Sequence, residues 1–192
     1  MTGTPREDEL TPEERALLLR TARQAISDQL QGCRVTPAEP TGARLAALAG
    51  AFVSLHAAGD LRGCIGTFVG RRPLVQTVQE MAVSAAFRDP RFPPLAADEL
   101  AGLELEISVL SPLRQISDVS EIEVGRHGLY ITRGLRAGVL LPQVATEFGW
   151  DREEFLAHTC MKAGLPPEAW REGGTRIELF EAQVFGERQE QE

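Results

Sequence analysis

The chain has 192 residues and a formal net charge of −8, with 43% hydrophobic and 25% charged residues, as expected for a globular protein of one domain. The acidic charge argues against a nucleic-acid-binding surface, which requires clustered Lys and Arg. No stretch of 18 apolar residues predicts a membrane span, and the polar N-terminus does not resemble a signal peptide, so we expect a cytoplasmic protein.

The N-terminal part of the chain is predicted to form a long helix and then a hairpin. A short frayed tail at about 1–9 precedes Thr11, which is a good helix N-cap. An apolar stripe at helical spacing then predicts a helix over residues 12–31. Two runs of strand-forming residues, at 52–56 and 61–68, flank a short turn that contains glycine. We therefore expect an antiparallel hairpin there.

The second strand of this hairpin contains an unusual stretch, LRGCIGTF at residues 61–68. Glycine weakens a strand interior, and a bulge or the close approach of another backbone or a ligand is the usual reason for it. Side chains alternate along a strand, which predicts that Arg62, Cys64 and Gly66 share one face. Because a guanidinium favours thiolate over thiol, Cys64 is a candidate reactive thiol. Tight packing without chemistry is the alternative, since free cysteine is often buried.

A helix and a proline-rich loop are predicted after the hairpin. Apolar spacing indicates a helix at 73–87, and three prolines stiffen the loop at 88–94. In this loop Asp89 either accepts backbone amides, as a structural turn residue, or borders a pocket together with Arg91. The sequence leaves both interpretations open.

A strand is predicted at 103–110, where apolar residues alternate cleanly with polar ones. This alternation places Glu106 at the centre of the polar face. If that face is covered, the carboxylate needs a partner, and Arg62 is the candidate.

The C-terminal part mixes short strands with helices. Apolar patterns predict a hairpin from strands 129–132 and 139–141, helices beginning at Pro142 and at Trp150, and one final strand at 175–185 before a charged tail at about 187–192. Hairpins mixed with helices, rather than regular strand–helix alternation, indicate an α+β fold with a largely antiparallel sheet and flanking helices.

Six motifs occur in the order of one known family: LRGCIGTF at 61–68, DPRFP at 89–93, LEISVLSP at 105–112, HGL at 127–129, LLPQVA at 140–145 and KAGL at 162–165. Together they resemble the AMMECR domain from about Leu45 to about Phe185. The resemblance implies a single domain over 1–192 with a larger and a smaller lobe and the cysteine motif near the cleft between them. It implies no established reaction.

Prokaryotic members of this family resemble the A component of the AmmeMemoRadiSam gene set. The expected partners are therefore a Memo-type protein of the extradiol dioxygenase fold and a radical SAM protein. The resemblance also selects His127 as a histidine that can act with Cys64, with Glu106 or Asp89 orienting the imidazole. A capping or hydrogen-bonding role for His127 is the structural alternative.

The candidate catalytic residues are thus Cys64, His127 and Glu106, and the candidate binding residues are Arg62, Gly63, Gly66, Asp89, Arg91 and Gln143. The two arginines predict a compact anionic ligand. No CxxC or HxxxH pair predicts a zinc site, and the cysteine clusters of an iron–sulfur protein are missing from the sequence, so we predict neither metal nor cofactor.

Two functions fit these residues. The first is an enzyme or small-molecule-binding protein with a cleft around Cys64. The second is a non-catalytic protein that uses the same hairpin as a docking surface for the two expected partners. An enzyme would lose activity when Cys64 is replaced by serine, whereas a docking protein would tolerate the change and expose an apolar patch near the motif.

Overall fold

A computed structural model describes residues 9–187. The α-helices in this range are α1 (Pro12–Leu30), α2 (Ala43–Ala46), α3 (Leu74–Phe87), α4 (Pro142–Phe148) and α5 (Arg152–Lys162). The strands are β1 (Ala51–Ala57), β2 (Asp60–Thr67), β3 (Leu103–Leu110), β4 (Arg114–Ile116), β5 (Gly128–Arg133), β6 (Arg136–Leu140), β7 (Arg176–Phe180) and β8 (Ala182–Gly186). Short 3-10 helices lie at Ala97–Gly102, Val119–Glu121 and Ala169–Arg171. Apart from Glu9 and Glu187, the predicted frayed ends lie outside the described residues.

The described chain divides into two compact units. The first unit contains the chain up to Leu110 together with the residues from Gln183 onward, and the second contains Ser111–Ala182. Each unit has its own four-stranded sheet, helices and hydrophobic core. The α+β prediction is therefore confirmed, whereas a cleft beside the cysteine motif stays a prediction.

In the first unit, the strand order is β2-β1-β3-β8, so β2 lies at an edge of the sheet. Helices α1 and α3 pack together and cover one face of this sheet. The alternate apolar residues of the strands, such as Val53, Leu55 and Ile107, are fully buried beneath them. The other face carries the polar residues that alternate with these, as the pattern of β3 predicts.

The start of α1 matches its sequence prediction. Thr11 Oγ1 accepts a hydrogen bond from the backbone N–H of Glu14, and Glu14 Oε2 accepts one from the backbone N–H of Thr11. This reciprocal pair is a capping box, and Pro12 occupies the first turn. The helix therefore begins at the residue where its unpaired N–H groups find partners.

In the second unit, the strand order is β4-β7-β5-β6, and α5 packs on β5 and β6. The prediction of one final strand at 175–185 is wrong, because the run divides into β7 and β8, which belong to different sheets. The break lies at Glu181, whose N–H donates to Ser111 Oγ at 2.9 Å and whose C=O accepts from the N–H of Ser111 at 2.9 Å. The apolar alternation of Ile177 and Leu179 is not continued by Glu181 and Gln183, so the sequence pattern does change at the break.

Candidate functional site

Three polar residues lie opposite one another across three strands of the first sheet. Cys64 on β2 pairs with Ser54 on β1, and Ser54 pairs with Glu106 on β3. Directly opposed residues point to the same face of an antiparallel sheet. We call Cys64, Ser54 and Glu106 the cysteine row.

The backbone of Cys64 explains the close approach of its side chain to Ser54. Its N–H donates to Asp89 Oδ2 at 2.8 Å, and its C=O accepts from Arg91 Nη2 at 3.1 Å. Both groups therefore point away from β1, which makes Cys64 and Ser54 a non-hydrogen-bonded pair with closely spaced side chains. Ser54 Oγ donates to Cys64 Sγ at 3.3 Å.

Asp89 and Arg91 cover the exposed edge of β2 at this point. The Asp89 side chain is only 2% exposed and accepts from the backbone N–H groups of Cys64 and Arg91. Arg91 also donates to Asp89 through Nε at 3.0 Å and Nη2 at 2.7 Å. The structural interpretation of Asp89 as an acceptor of backbone amides is thus confirmed, and the loop satisfies an edge that would otherwise be open.

The Asp89 carboxylate and the Arg91 guanidinium in this loop stabilise each other's charged form. Hydrogen bonds from Arg91 hold the pKa of the Asp89 carboxyl well below its ordinary value, and the backbone amides lower it further. The same bonds to Asp89 raise the pKa of Arg91. The Arg91 side chain is nevertheless 53% exposed, so one side of its guanidinium still faces solvent.

Arg62 occupies a bulge in β2. Leu55 lies opposite Gly63, whereas the next residue of β1 lies opposite Leu61, so Arg62 is the extra residue. A bulge interrupts side-chain alternation and redirects the residue that it contains. The simple alternation that predicted Arg62 as a neighbour of Cys64 therefore does not hold at this position.

The guanidinium of Arg62 binds Glu99 instead of the expected Glu106. Nε and Nη2 donate to the two carboxylate oxygens at 2.7 and 3.0 Å, and Nη2 also donates to the carbonyl of Pro93 at 3.1 Å. This pairing raises the pKa of Arg62 and lowers that of Glu99. The predicted Arg62–Glu106 pair was wrong because the bulge and the loop after α3 set the direction of the side chain.

The two glycines that flank Cys64 allow close packing. A Cβ at Gly63 would lie well under 3.0 Å from the backbone carbonyl oxygen of Ala85 in α3, and a Cβ at Gly66 would overlap the ring of Phe52. The expectation that a close approach explains these glycines is confirmed. The approaching groups belong to the protein itself.

His127 and Gln143 belong to the second unit. His127 is buried, and its Nδ1 accepts from the backbone N–H of Glu123 at 3.1 Å, so the proton of a neutral imidazole is on Nε2. Nε2 lies 3.8 Å from Glu181 Oε1. His127 thus has the predicted hydrogen-bonding role in its own loop, and its action on Cys64 stays a prediction. Gln143 is half-buried in the first turn of α4, and its binding role stays a prediction.

Ser54 and Glu99 are the site residues that sequence reasoning missed. Counting outward from the predicted turn at 57–60 places Ser54 opposite Gly63, and only the bulge at Arg62 brings it opposite Cys64, so the sequence alone does not identify this pair. Glu99 lies in a 3-10 helix that follows the proline-rich loop, and no motif or spacing connects it with Arg62.

Comparisons with known proteins identify the family. A family model described as AMMECR1 matches residues 19–185. The chain belongs to the AMMECR1 family. It is 46% identical to Protein MK0488 of Methanopyrus kandleri, over 94% of this chain and 91% of that protein, and 42% identical to Protein MJ0810 of Methanocaldococcus jannaschii, over 93% and 92%.

A solved structure is also similar to this AMMECR1 chain. The crystal structure of uncharacterized protein PH0010 from Pyrococcus horikoshii matches with a TM-score of 0.76 and 42% identity, covering 88% of this chain and 89% of that one. Within residues 9–187, no helix is both long and apolar enough to cross a membrane. In the same range, no three His, Cys, Asp or Glu side chains are grouped as metal ligands.

Proposed function

We propose that this AMMECR1 protein binds a compact small molecule on the polar face of its first sheet and that Cys64 acts on it as a thiol nucleophile. The observation that supports this most directly is the hydrogen bond from Ser54 Oγ to Cys64 Sγ. A hydroxyl that donates to sulfur favours the thiolate, which is the nucleophilic form. The proposal uses residues of the first unit alone.

The other member of the cysteine row supplies a base. Among the described residues, the half-buried Glu106 side chain has no hydrogen-bond or salt-bridge partner, so its carboxylate is available to accept a proton. Glu106 also lines a pocket of about 200 Å3 with His56 and Glu104. This pocket has room for part of a small ligand beside the cysteine row.

Arg91 supplies the positive group nearest the backbone of Cys64. Arg62 is enclosed by Glu99 and Pro93, whereas the Arg91 guanidinium is half exposed while bound to Asp89 and to the carbonyl of Cys64. We therefore assign the recognition of an anionic group on the ligand to Arg91. Arg62, Gly63 and Gly66 shape the site, and Asp89 holds Arg91 in place.

The test is the rate at which iodoacetamide alkylates Cys64 at pH 7, measured peptide by peptide with mass spectrometry. N-acetylcysteine in the same mixture is the reference thiol, and Cys160 should react slowly because burial raises the pKa of its thiol. We expect Cys64 to react faster than this reference. Replacing Ser54 with alanine should slow Cys64 by about tenfold, which is the effect of one hydrogen bond to a charged group.

Ser108→Ala is the matched control, because Ser108 lies on β3 opposite Phe52, next to the cysteine row. This variant should leave the Cys64 rate unchanged. If Cys64 reacts more slowly than the reference thiol and Ser54→Ala does not change its rate, Cys64 is not a thiol nucleophile.

A docking function is the second candidate, and one surface feature favours it. Leu48 and Val69 are 64% and 55% exposed, although both are large apolar residues. The chain segments that carry them run side by side, since a Cβ at Gly70 would collide with the backbone of Ala49. Exposed apolar groups beside the end of β2 suit a contact with a Memo-type or radical SAM protein.

The two candidates predict opposite effects of two substitutions. If docking is the function, Leu48→Ser/Val69→Ser should abolish co-purification with a Memo-type or radical SAM protein from the same genome, and Cys64→Ser should leave it intact. Retention of the partner by the double serine variant would exclude this surface. Loss of co-purification in Cys64→Ser alone would point back to the thiol.

A further inference from the structure

A second pocket lies away from the cysteine row, in the helical part of the first unit. Its volume is about 340 Å3, within the range of small-molecule sites. The end of α1, the loop that follows it and one side of α3 form its walls. Three arginines line it: Arg34, Arg72 and Arg88.

The charge of these arginines is largely uncompensated. Within residues 9–187, neither Arg34 nor Arg88 has a carboxylate within salt-bridge distance, and the nearest carboxylate oxygen to Arg72 is that of Glu80, at 3.9 Å. Glu80 is the single acidic residue among the described residues that line the pocket. Three guanidinium groups thus surround one cavity on a chain whose formal net charge is −8. In contrast to the arginines of the pocket, Arg62 and Arg91 each form a close ion pair with a carboxylate.

The wall of this pocket is held in place by two glutamines of α3. Gln79 Oε1 accepts from the N–H of Ala38 at 3.0 Å, and Gln79 Nε2 donates to the carbonyl of Thr36 at 2.8 Å. Gln76 Nε2 donates to the carbonyl of Ala38 at 3.1 Å. Residues three apart on a helix share a face, so both amides reach the same loop. A wall fixed in advance lowers the entropic cost of binding a ligand.

Hydrogen bonds at the end of α1 weaken the negative charge that this helix end presents to the pocket. Helix C-termini carry partial negative charge on their free carbonyls. Here the N–H groups of Gly32 and Cys33 donate to the carbonyls of Gln29 and Asp28, at 3.1 and 2.9 Å. The carbonyls of Gln29 and Asp28 are therefore already hydrogen-bonded.

We propose that this pocket binds a small phosphorylated molecule. A guanidinium presents paired N–H donors that match two oxygens of a phosphate, and three of them suit a group with two or more negative charges. The cavity has space for an organic portion beside the phosphate. The site is independent of Cys64, so it is a further property of the protein and not a detail of the thiol chemistry.

Isothermal titration of the full chain with pyrophosphate, in low salt at pH 7.5, tests the proposal. We expect saturable binding with a dissociation constant below about 1 mM. The double variant Arg34→Ala/Arg88→Ala should weaken it at least about tenfold, since each arginine contributes charge-assisted hydrogen bonds. Arg71→Ala is the matched control, because Arg71 is exposed and adjacent to Arg72 but does not line this pocket.

Three results would contradict the proposed phosphate site. No binding to wild type at up to about 10 mM pyrophosphate, or equal loss in Arg71→Ala and in the double variant, overturns the site. Citrate binding as tight as that of pyrophosphate overturns the assignment to phosphate. Cys64→Ser should bind pyrophosphate like wild type, so the result is independent of the test of Cys64. All the replaced arginines are exposed, and circular dichroism should show that each variant is folded.

Discussion

Replacing Gly63 with alanine should lower the free energy of unfolding by about 3 kcal/mol, the upper end of the cost of overpacking. The new Cβ would meet the backbone carbonyl of Ala85 in α3, and backbone of a packed helix cannot move aside as a flexible side chain can. Either α3 separates from β2 or the strand distorts at Cys64. Urea unfolding followed by circular dichroism measures the loss.

Gly102→Ala is the matched control for this substitution. Gly102 belongs to the same unit, has nothing within 4 Å of the position of a Cβ, and does not require a positive φ. Its replacement should change the free energy of unfolding by no more than about 0.5 kcal/mol. An equally small effect at Gly63 would show that α3 does not press on the strand. Since no ligand is present in the experiment, a large effect would assign Gly63 to packing.

Replacing Asp89 with alanine should destabilise the protein by about 2 to 3 kcal/mol at pH 7. The substitution leaves the backbone N–H of Cys64 without its acceptor and removes the partner of Arg91. Asp98→Ala, at an exposed residue of the same unit, is the control and should have little effect. Comparing the urea midpoints of the two variants measures the difference.

The contribution of Asp89 should also depend on pH. Its pKa is lowered in the folded protein, so the folded state binds a proton more weakly than the unfolded state does. The stabilisation is therefore complete above the unfolded pKa of about 4 and is lost as the pH falls below it. The difference in unfolding free energy between wild type and Asp89→Asn should shrink from pH 6 to pH 3. A difference that stays constant over this range would mean that the charge of Asp89 is unimportant.

Local patterns in the sequence were sufficient to predict most of the helices and strands. The capping signal at Thr11, the turn at 57–60 and the alternation of β3 each depend on neighbours in the chain, and each prediction was confirmed. The hairpin register follows from the turn only as far as His56 and Leu61, because the bulge at Arg62 shifts the pairing beyond them. Alternation along β3 was sufficient to place Glu106 on the polar face of that strand.

Partners that come from distant parts of the chain could not be derived in this way. The bulge at Arg62 shifts one residue out of alternation, and strand propensity contains no information about where such a shift occurs. The guanidinium of Arg62 then binds Glu99, which is distant in the chain. The alternation of Ile177 and Leu179 stops at Glu181, but the sheet that each half of the run joins depends on tertiary packing.

The hydrogen bonds between Ser111 and Glu181 hold together the two ends of the second unit, which is one continuous segment between β3 and β8. In chain order, the second unit is thus inserted between two neighbouring strands of the first sheet. The N–H of Glu187 donates to the carbonyl of Leu105, so β8 runs back along β3 and a short turn could join the two strands directly. Such a shortened protein would keep the residues of both the cysteine row and the arginine pocket, and assays of it would show whether the function of either site requires residues 111–182.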